Sequence, residues 1–130
     1  MSQENVKRAR ESNEAIRRAD WDAVAAYYDP HIFIRTDPTW PEQRIYGRAA
    51  VLDFVRSGCE LWGPDVRLEE IVDLGDRLLV RVHWNTRAQH TGIEEELRFS
   101  EIATYREGRV ILIEFFLDHD QALKAVGLEE

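Results

Sequence analysis

Apolar side chains recur at helical spacing in the first half of the chain and at strand spacing in the second half. These two periods, with the prolines, glycines and capping residues between them, predict four helices and five strands. The helices are predicted at residues 3–18, 21–28, 48–62 and 120–126, and the strands at residues 31–36, 66–74, 78–87, 93–105 and 109–117. Residues 37–46 contain two prolines and two aromatic residues, and this stretch is predicted to be irregular.

The order of these elements decides the fold class. After residue 65 the chain runs from strand to strand through tight turns, and Gly75-Asp76 and Glu107-Gly108 supply the positive φ that short hairpin turns need. No predicted helix crosses between these strands, so an antiparallel meander is expected and a doubly wound parallel sheet is excluded. Long strands twist and coil, which lets helices cover the concave face. We therefore predict an α+β fold with a strongly curved, mainly antiparallel sheet.

Length, composition and charge limit the kind of protein further. At 130 residues the chain is expected to form a single domain, residues 1–130. Its 44% hydrophobic and 32% charged residues are typical of a soluble globular protein, and its apolar runs are too short to cross a membrane. The net charge of −8 repels phosphate backbones and argues against nucleic-acid binding. The single cysteine excludes an internal disulfide and favours a cytoplasmic location.

Glu101 is the most unusual residue of the predicted strand 93–105, because every second residue around it is apolar. Leu97, Phe99 and Ala103 share its face of the strand, so its carboxyl group is predicted to point toward the core. A buried carboxylate must pair, accept hydrogen bonds or stay protonated. Two interpretations remain open. Glu101 is either a pocket acid of raised pKa that exchanges a proton with a ligand, or a structural glutamate that pairs with an arginine or lies in water at a pocket rim.

The sequence predicts neither a metal site nor a cofactor. Cys59 falls on the apolar stripe of the helix at 48–62 and is predicted to be a core residue rather than a nucleophile. There is no glycine-rich phosphate loop. No pair of histidines has the spacing typical of two metal ligands on one element; they are His31, His83, His90 and His119.

Five short motifs follow one another along the chain as they do in one known family. They are Ala19-Asp20-Trp21-Asp22, the Tyr-Tyr-Asp-Pro stretch at 27–30, Tyr46-Gly47-Arg48-Ala49-Ala50-Val51, the hairpin from Thr104 to Val110, and the tail from Leu117 to Leu128. Through these motifs nearly the whole chain resembles the SnoaL-like branch of the nuclear transport factor two-like superfamily. The resemblance implies a cone-shaped α+β barrel with an internal pocket. It does not imply one activity, because the superfamily includes ketosteroid isomerases, epoxide hydrolases, polyketide cyclases and non-catalytic binding domains.

The resemblance to the ketosteroid isomerases implies two catalytic candidates. Their base is the aspartate of an Asp-Pro pair after the first strand, which is Asp37 here, although the residue count places Thr36 in the pocket-facing register. Their protonated acid, which stabilises an enolate, corresponds to Glu101. Their tyrosine on the first helix corresponds to Ser12, which is too short to replace a phenol.

The resemblance to the other enzymes of the superfamily implies fewer catalytic candidates. The catalytic positions of the epoxide hydrolases hold Val82, Trp84 and Phe115, which cannot perform that reaction. The late-strand aspartate of the cyclases has Asp118 as its nearest counterpart, and Asp118 is more simply explained as the cap of the last helix. Glu101 could serve a cyclase in its place.

Aromatic residues are predicted to surround the pocket entrance. With Thr36 and Glu101 as polar anchors, they would bind a small apolar or aromatic molecule. The alternative is that these rings only fill the core. The residues are Trp40, Tyr46, Trp62 and Trp84.

The outer face of the sheet is predicted to expose apolar side chains and to form a homodimer, as superfamily members commonly do. Its residues are Ile102, Thr104, Leu112 and Phe116. The predicted function is that of a small-molecule pocket protein, with Glu101 and Asp37 as candidate acid and base of an isomerase or cyclase. A non-catalytic ligand-binding or dimerising domain is the alternative.

Overall fold

The computed structural model describes residues 2–41, 43–88 and 91–128. In these ranges no helix combines the length and the apolar character that a membrane crossing requires. The helices are α1 (Ser2–Arg17), α2 (Trp21–Ala26), α3 (Arg48–Trp62) and α4 (His119–Ala125), and the strands are β1 (Tyr28–Arg35), β2 (Arg44–Tyr46), β3 (Val66–Asp73), β4 (Arg77–Arg87), β5 (Glu94–Arg106) and β6 (Arg109–Phe116).

All of these strands belong to one sheet, in the order β2-β1-β6-β5-β4-β3. Neighbouring strands are antiparallel except β1 and β6, which run parallel. β4 and β5 form a long ladder that extends from the Arg77–Thr104 pair to the Arg87–Glu94 pair. Register shifts interrupt the β3–β4 and β5–β6 ladders, and such irregularities bend a sheet. The structure confirms the predicted α+β fold and its curved, mainly antiparallel sheet.

The beginning of β1 differs from the prediction. The sequence placed Tyr28 in the second helix, but α2 ends at Ala26 and β1 starts at Tyr28. The strand therefore contains Pro30, which has no backbone N–H to donate. This residue is tolerated because the pairing of β1 with β6 is irregular between Tyr28 and Phe33.

The short strand β2 was not predicted. It lies in the stretch 37–46 and forms because the chain turns back along β1, where Ile45 pairs with Ile34 and Arg44 with Arg35. A three-residue strand has no periodicity that a sequence pattern could show. Its existence depends on the pairing partner.

The main core lies on the concave face of the sheet. α1 and α3 cover this face: Asn13 of α1 donates from Nδ2 to the backbone oxygen of Val66 at 3.0 Å, and Val51 of α3 is fully buried. Alternate residues of β1 and β4 point toward these helices and are almost completely buried, namely Ile32, Ile34, Leu78, Val80 and Val82.

The convex, outer face carries a second, smaller core. α4 folds onto this face, and its Ala122 packs with Leu79 and Ile102, all three of them buried. Phe116 packs against the same cluster. The prediction that Ile102 is exposed was therefore wrong, because the last helix covers the part of the outer face to which this residue belongs.

Candidate functional site

A cavity of about 680 Å³ lies between the concave face of the sheet and the helices α1 and α3. Its wall is mostly apolar and aromatic, and it includes side chains of β1, β4, β5 and β6. A volume of this size is typical of sites for small organic molecules. The aromatic residues of this small protein therefore do not fill its core completely.

Glu101 points into this cavity from β5. Its neighbours on the same face of the strand, Leu97, Phe99 and Ala103, also line the cavity, as the alternating pattern predicted. Burial raises the pKa of the Glu101 carboxyl group from 4.5 to about 7, and no hydrogen bond or nearby charge contributes to the shift. In the described part of the chain, no arginine pairs with this carboxyl group, which argues against the arginine-paired form of the structural interpretation and leaves its other form, a glutamate in water at a pocket rim, open.

Two tyrosines that the sequence analysis missed lie close to Glu101. Tyr28 and Tyr105 line the same cavity and are buried. Burial raises the pKa of both phenols, and the charge of Glu101 raises them further. Both hydroxyl groups therefore stay protonated and can donate a hydrogen bond to a ligand. Tyr105 continues the alternation of Glu101 and Ala103, so the pattern contained the signal; Tyr28 was hidden by its assignment to a helix.

An aromatic wall borders the carboxyl group. Phe115 of β6 lies directly opposite Glu101 in the β5–β6 ladder, so the two side chains share a face of the sheet. The Phe115 ring centroid is 5.6 Å from that of Phe99, 5.5 Å from that of Trp40 and 6.5 Å from that of Phe54. Trp40, a predicted ligand-binding residue, also lines the cavity, although it lies outside the helices and strands.

Two further tryptophans named by the sequence line the cavity next to the end of α3. The Trp84 indole donates from Nε1 to the backbone oxygen of Gly63 at 3.0 Å, which holds the ring in one orientation. A Cβ atom at Gly58 would lie 3.4 Å from Cη2 of Trp84, so the ring packs directly against the backbone of α3. Trp62 is 45% exposed beside it.

Thr36, Asp37 and Tyr46 are not among the described residues that line the cavity. Thr36 keeps the buried register of Ile32 and Ile34, but it lies beyond the end of β1, and its N–H donates to the Gln43 carbonyl. Tyr46 is 62% exposed, because β2 places it opposite Phe33 on the outer face. The two rings stack there, with centroids 5.2 Å apart.

Asp37 holds two loops together instead of facing the cavity. Its Oδ1 accepts hydrogen bonds from the N–H and the hydroxyl of Thr39, at 2.9 and 2.7 Å, and its Oδ2 accepts one from the N–H of Leu117 at 2.8 Å. Burial opposes ionisation of this carboxyl group, but these hydrogen bonds outweigh it and lower the pKa. A carboxylate of low pKa is a weak base, and this one already has donors on both oxygens.

The Asp37→Ala variant is expected to lose about 2 kcal/mol of unfolding free energy, because two backbone N–H groups lose their acceptor. Urea denaturation measures this loss, and Thr39→Val, which removes only the hydroxyl donor, is the milder control. Binding of a neutral ligand in the cavity should be retained. Unchanged stability combined with loss of activity would instead identify Asp37 as a catalytic base.

The remaining polar candidates are the histidines and Cys59. No group of three His, Cys, Asp or Glu side chains in the described ranges is arranged to hold a metal ion. His119 Nδ1 lies 2.7 Å from the Ser100 hydroxyl, and His90 lies outside the described residues. Cys59 is half-buried and lines the cavity, where burial raises the pKa of its thiol and so keeps it protonated.

Several solved structures share this architecture. A candidate SnoaL-like polyketide cyclase from Jannaschia sp. CCS1 superposes with a TM-score of 0.77 at 15% identity, over 100% of this chain and 96% of its own. A nuclear transport factor two-like protein of unknown function from Burkholderia pseudomallei K96243 gives 0.74 at 25% identity, over 95% and 97% of the two chains. A similar protein from Burkholderia xenovorans LB400 gives 0.74 at 23% identity, over 89% and 90%.

Sequence comparison identifies the family directly. No curated protein matches the chain. The family model described as the SnoaL-like domain matches residues 9–113, which include α2, α3, all six strands except the end of β6, and the candidate residue Glu101. The chain therefore belongs to the SnoaL-like domain family, within the nuclear transport factor two-like superfamily.

Proposed function

We propose that this protein binds a small apolar or aromatic molecule in its cavity and exchanges a proton with that molecule through Glu101. The observation that carries the proposal is a carboxyl group that has no ion-pair partner among the described residues and lies on the wall of an open, largely apolar cavity with several aromatic rings. We further propose a cytoplasmic location, which rests on the single cysteine of the chain.

The chemistry of the site suits a reaction of the isomerase or polyketide-cyclase type. A carboxyl group with a pKa of about 7 is present in both protonation states near neutral pH, so it can both accept and return a proton. The neutral phenols of Tyr28 and Tyr105 can stabilise the oxyanion that develops when a proton leaves the carbon next to a carbonyl group. The similarity to a candidate polyketide cyclase agrees with this assignment.

The alternative is a ligand-binding domain of the same fold without catalysis. Ser12 lines the cavity where the resemblance to ketosteroid isomerases would require a tyrosine, and Asp37 is not a free base. These two differences remove two of the three members of that catalytic set and leave only Glu101. The alternative keeps the cavity and its ligand and gives Glu101 the role of a polar anchor.

A proton-exchange experiment separates the two functions. The aromatic ketone 2-tetralone, dissolved in deuterated buffer with the protein, should exchange its α-hydrogens faster than in buffer alone, as followed by proton NMR. The acceleration produced by the Glu101→Gln variant should be about a hundredfold smaller than that produced by the wild type. Glu95→Gln, which removes an exposed carboxylate of the same strand, should keep it. Equal rates in the wild type and in Glu101→Gln would favour the non-catalytic function.

We also propose a homodimer formed by the part of the outer face that α4 leaves uncovered. Phe33 and Leu112 are partly exposed there and lie opposite each other on β1 and β6. Tyr46 extends the same apolar surface. The wild type is expected to have twice the monomer mass by light scattering, and Leu112→Glu to be monomeric because it places a charge in the interface. A monomeric wild type would contradict the proposal.

A further inference from the structure

We propose that the ligand of this cavity carries a positively charged nitrogen, an amine or a quaternary ammonium group, which binds between Glu101 and the aromatic rings beside it. The inference rests on the proposed binding of a ligand in this cavity, with Glu101 as its polar anchor rather than as a base toward carbon, and it names the chemical class of the ligand. It follows from the charges on the cavity wall, from the aromatic surroundings of the carboxyl group and from the groups that can titrate there.

The charges of the wall have one sign. Among the described residues that line the cavity, the charged ones are Asp53 and Glu101, both acids. Asp53 has a side chain that is 66% exposed and pairs with Arg56 at 2.8 Å, so it is already neutralised at the surface. The carboxyl group of Glu101 has no such partner in the described ranges. A ligand with a carboxylate or phosphate would meet only like charge here, whereas a cation supplies the counter-charge that the protein lacks.

Aromatic rings surround the position that this cation would take. Phe115 lies opposite Glu101 in the β5–β6 ladder. Phe99 stands two residues before Glu101 on β5 and lines the same cavity. Tyr28 and Tyr105 are close enough for the Glu101 charge to act on their phenols. The faces of aromatic rings attract cations, and a carboxylate among several rings is typical of sites that bind amines and quaternary ammonium groups. The rings also take up the apolar body of such a ligand.

The titratable neighbours leave Glu101 as the group that changes charge near neutral pH. Tyr28 of β1, Tyr105 of β5 and Cys59 of α3 all have raised pKa values because of burial and therefore stay neutral. Arg8 of α1 acts on Tyr105 but does not line the cavity. A cation binds the ionised form of Glu101, so its affinity should rise as the pH increases through about 7 and level off above that value.

Two probes of the same shape test the inference. They are naphthalen-2-ylmethyl-trimethylammonium and its neutral carbon isostere 2-neopentylnaphthalene, with binding to the wild-type protein followed by naphthalene fluorescence. Near pH 8 the ammonium probe should bind at least about tenfold more tightly than the isostere. The preference should shrink below about pH 6, where Glu101 is protonated. It should be absent in Glu101→Gln and retained in Glu95→Gln, which changes the net charge equally at an exposed site.

Equal or tighter binding of the neutral isostere to the wild type near pH 8 would overturn this inference and leave the proposed pocket function intact. A preference for the ammonium probe that persists in Glu101→Gln would overturn it as well. Failure of both probes to bind would overturn the inference together with the proposed function. The quaternary nitrogen cannot lose a proton, so the pH dependence reports on the protein alone.

Discussion

The Glu101→Gln substitution is expected to raise the free energy of unfolding by about 3 kcal/mol more near pH 8 than near pH 4. Glutamine has nearly the same shape and carries no charge at any pH. The wild type must hold an ionised carboxylate on a wall that offers no counter-charge in the described part of the chain, and the variant does not. The gain therefore measures the free energy of charging this one group inside the fold.

The pH window follows from the direction of the shift. The pKa of Glu101 is about 7 in the folded protein against 4.5 for an ordinary glutamate, so between these values the folded state holds a proton that the unfolded state has released. The unfolding free energy of the wild type therefore falls as the pH rises through this window. Above the window, Glu101 adds no further pH dependence. Asp37 has a lowered pKa and acts in the opposite direction, since its contribution is lost only as the pH falls through its folded value.

Urea denaturation of the wild type and Glu101→Gln at several pH values between about 4 and 8 measures the difference. Because Asp37 and all other groups are common to both proteins, their pH dependence cancels. Glu95→Gln should show no comparable gain, since the Glu95 side chain is exposed. A constant difference between wild type and Glu101→Gln across this range would mean that Glu101 titrates normally, and the main physical reason for proton exchange would be lost.

The inward orientation of Glu101 could be predicted from the sequence because it depends on a local pattern. Leu97, Phe99 and Ala103 occupy every second position around Glu101. Such period-two spacing indicates which residues share a face of a strand without any knowledge of the neighbouring strands. The fold class followed for a similar reason, since tight turns between consecutive strands predict antiparallel pairing. Trp40, Trp62 and Trp84 also reach the cavity, although residue type alone could not show whether they line it or fill it.

The parts that were wrong or missing depend on pairings between distant segments. Tyr46 turned out to lie on the outer face because β2 pairs with β1, and a three-residue strand carries no pattern of its own. Asp37 was predicted to be a base because of the Asp-Pro motif. Its orientation instead depends on a hydrogen bond from the N–H of Leu117, a residue distant in the sequence. Tyr28 lies near Glu101 because β1 pairs in parallel with β6. No turn motif in the sequence indicates this pairing of distant strands.

The Ala103→Phe variant is expected to weaken ligand binding by at least about tenfold, because the added ring occupies the cavity beside Glu101. Ala103 is 6% exposed, lines the cavity and stands two residues after Glu101 on the same face of β5. The new side chain can extend into space that is already open, so the loss of unfolding free energy should stay below about 2 kcal/mol. Steric exclusion of the ligand would then occur without unfolding of the protein.

Thr104→Phe is the matched control for this substitution. Thr104 is the next residue of β5 and therefore points to the outer face, where it lies opposite Leu112 in the β5–β6 ladder. Fluorescence of the neutral dye N-phenyl-1-naphthylamine measures binding to both variants, and thermal unfolding measures their stability. Thr104→Phe should bind the dye as the wild type does, and Ala103→Val should give an intermediate loss. Equal dye binding by Ala103→Phe and Thr104→Phe, with both folded, would show that the ligand binds elsewhere than in the cavity that Glu101 faces.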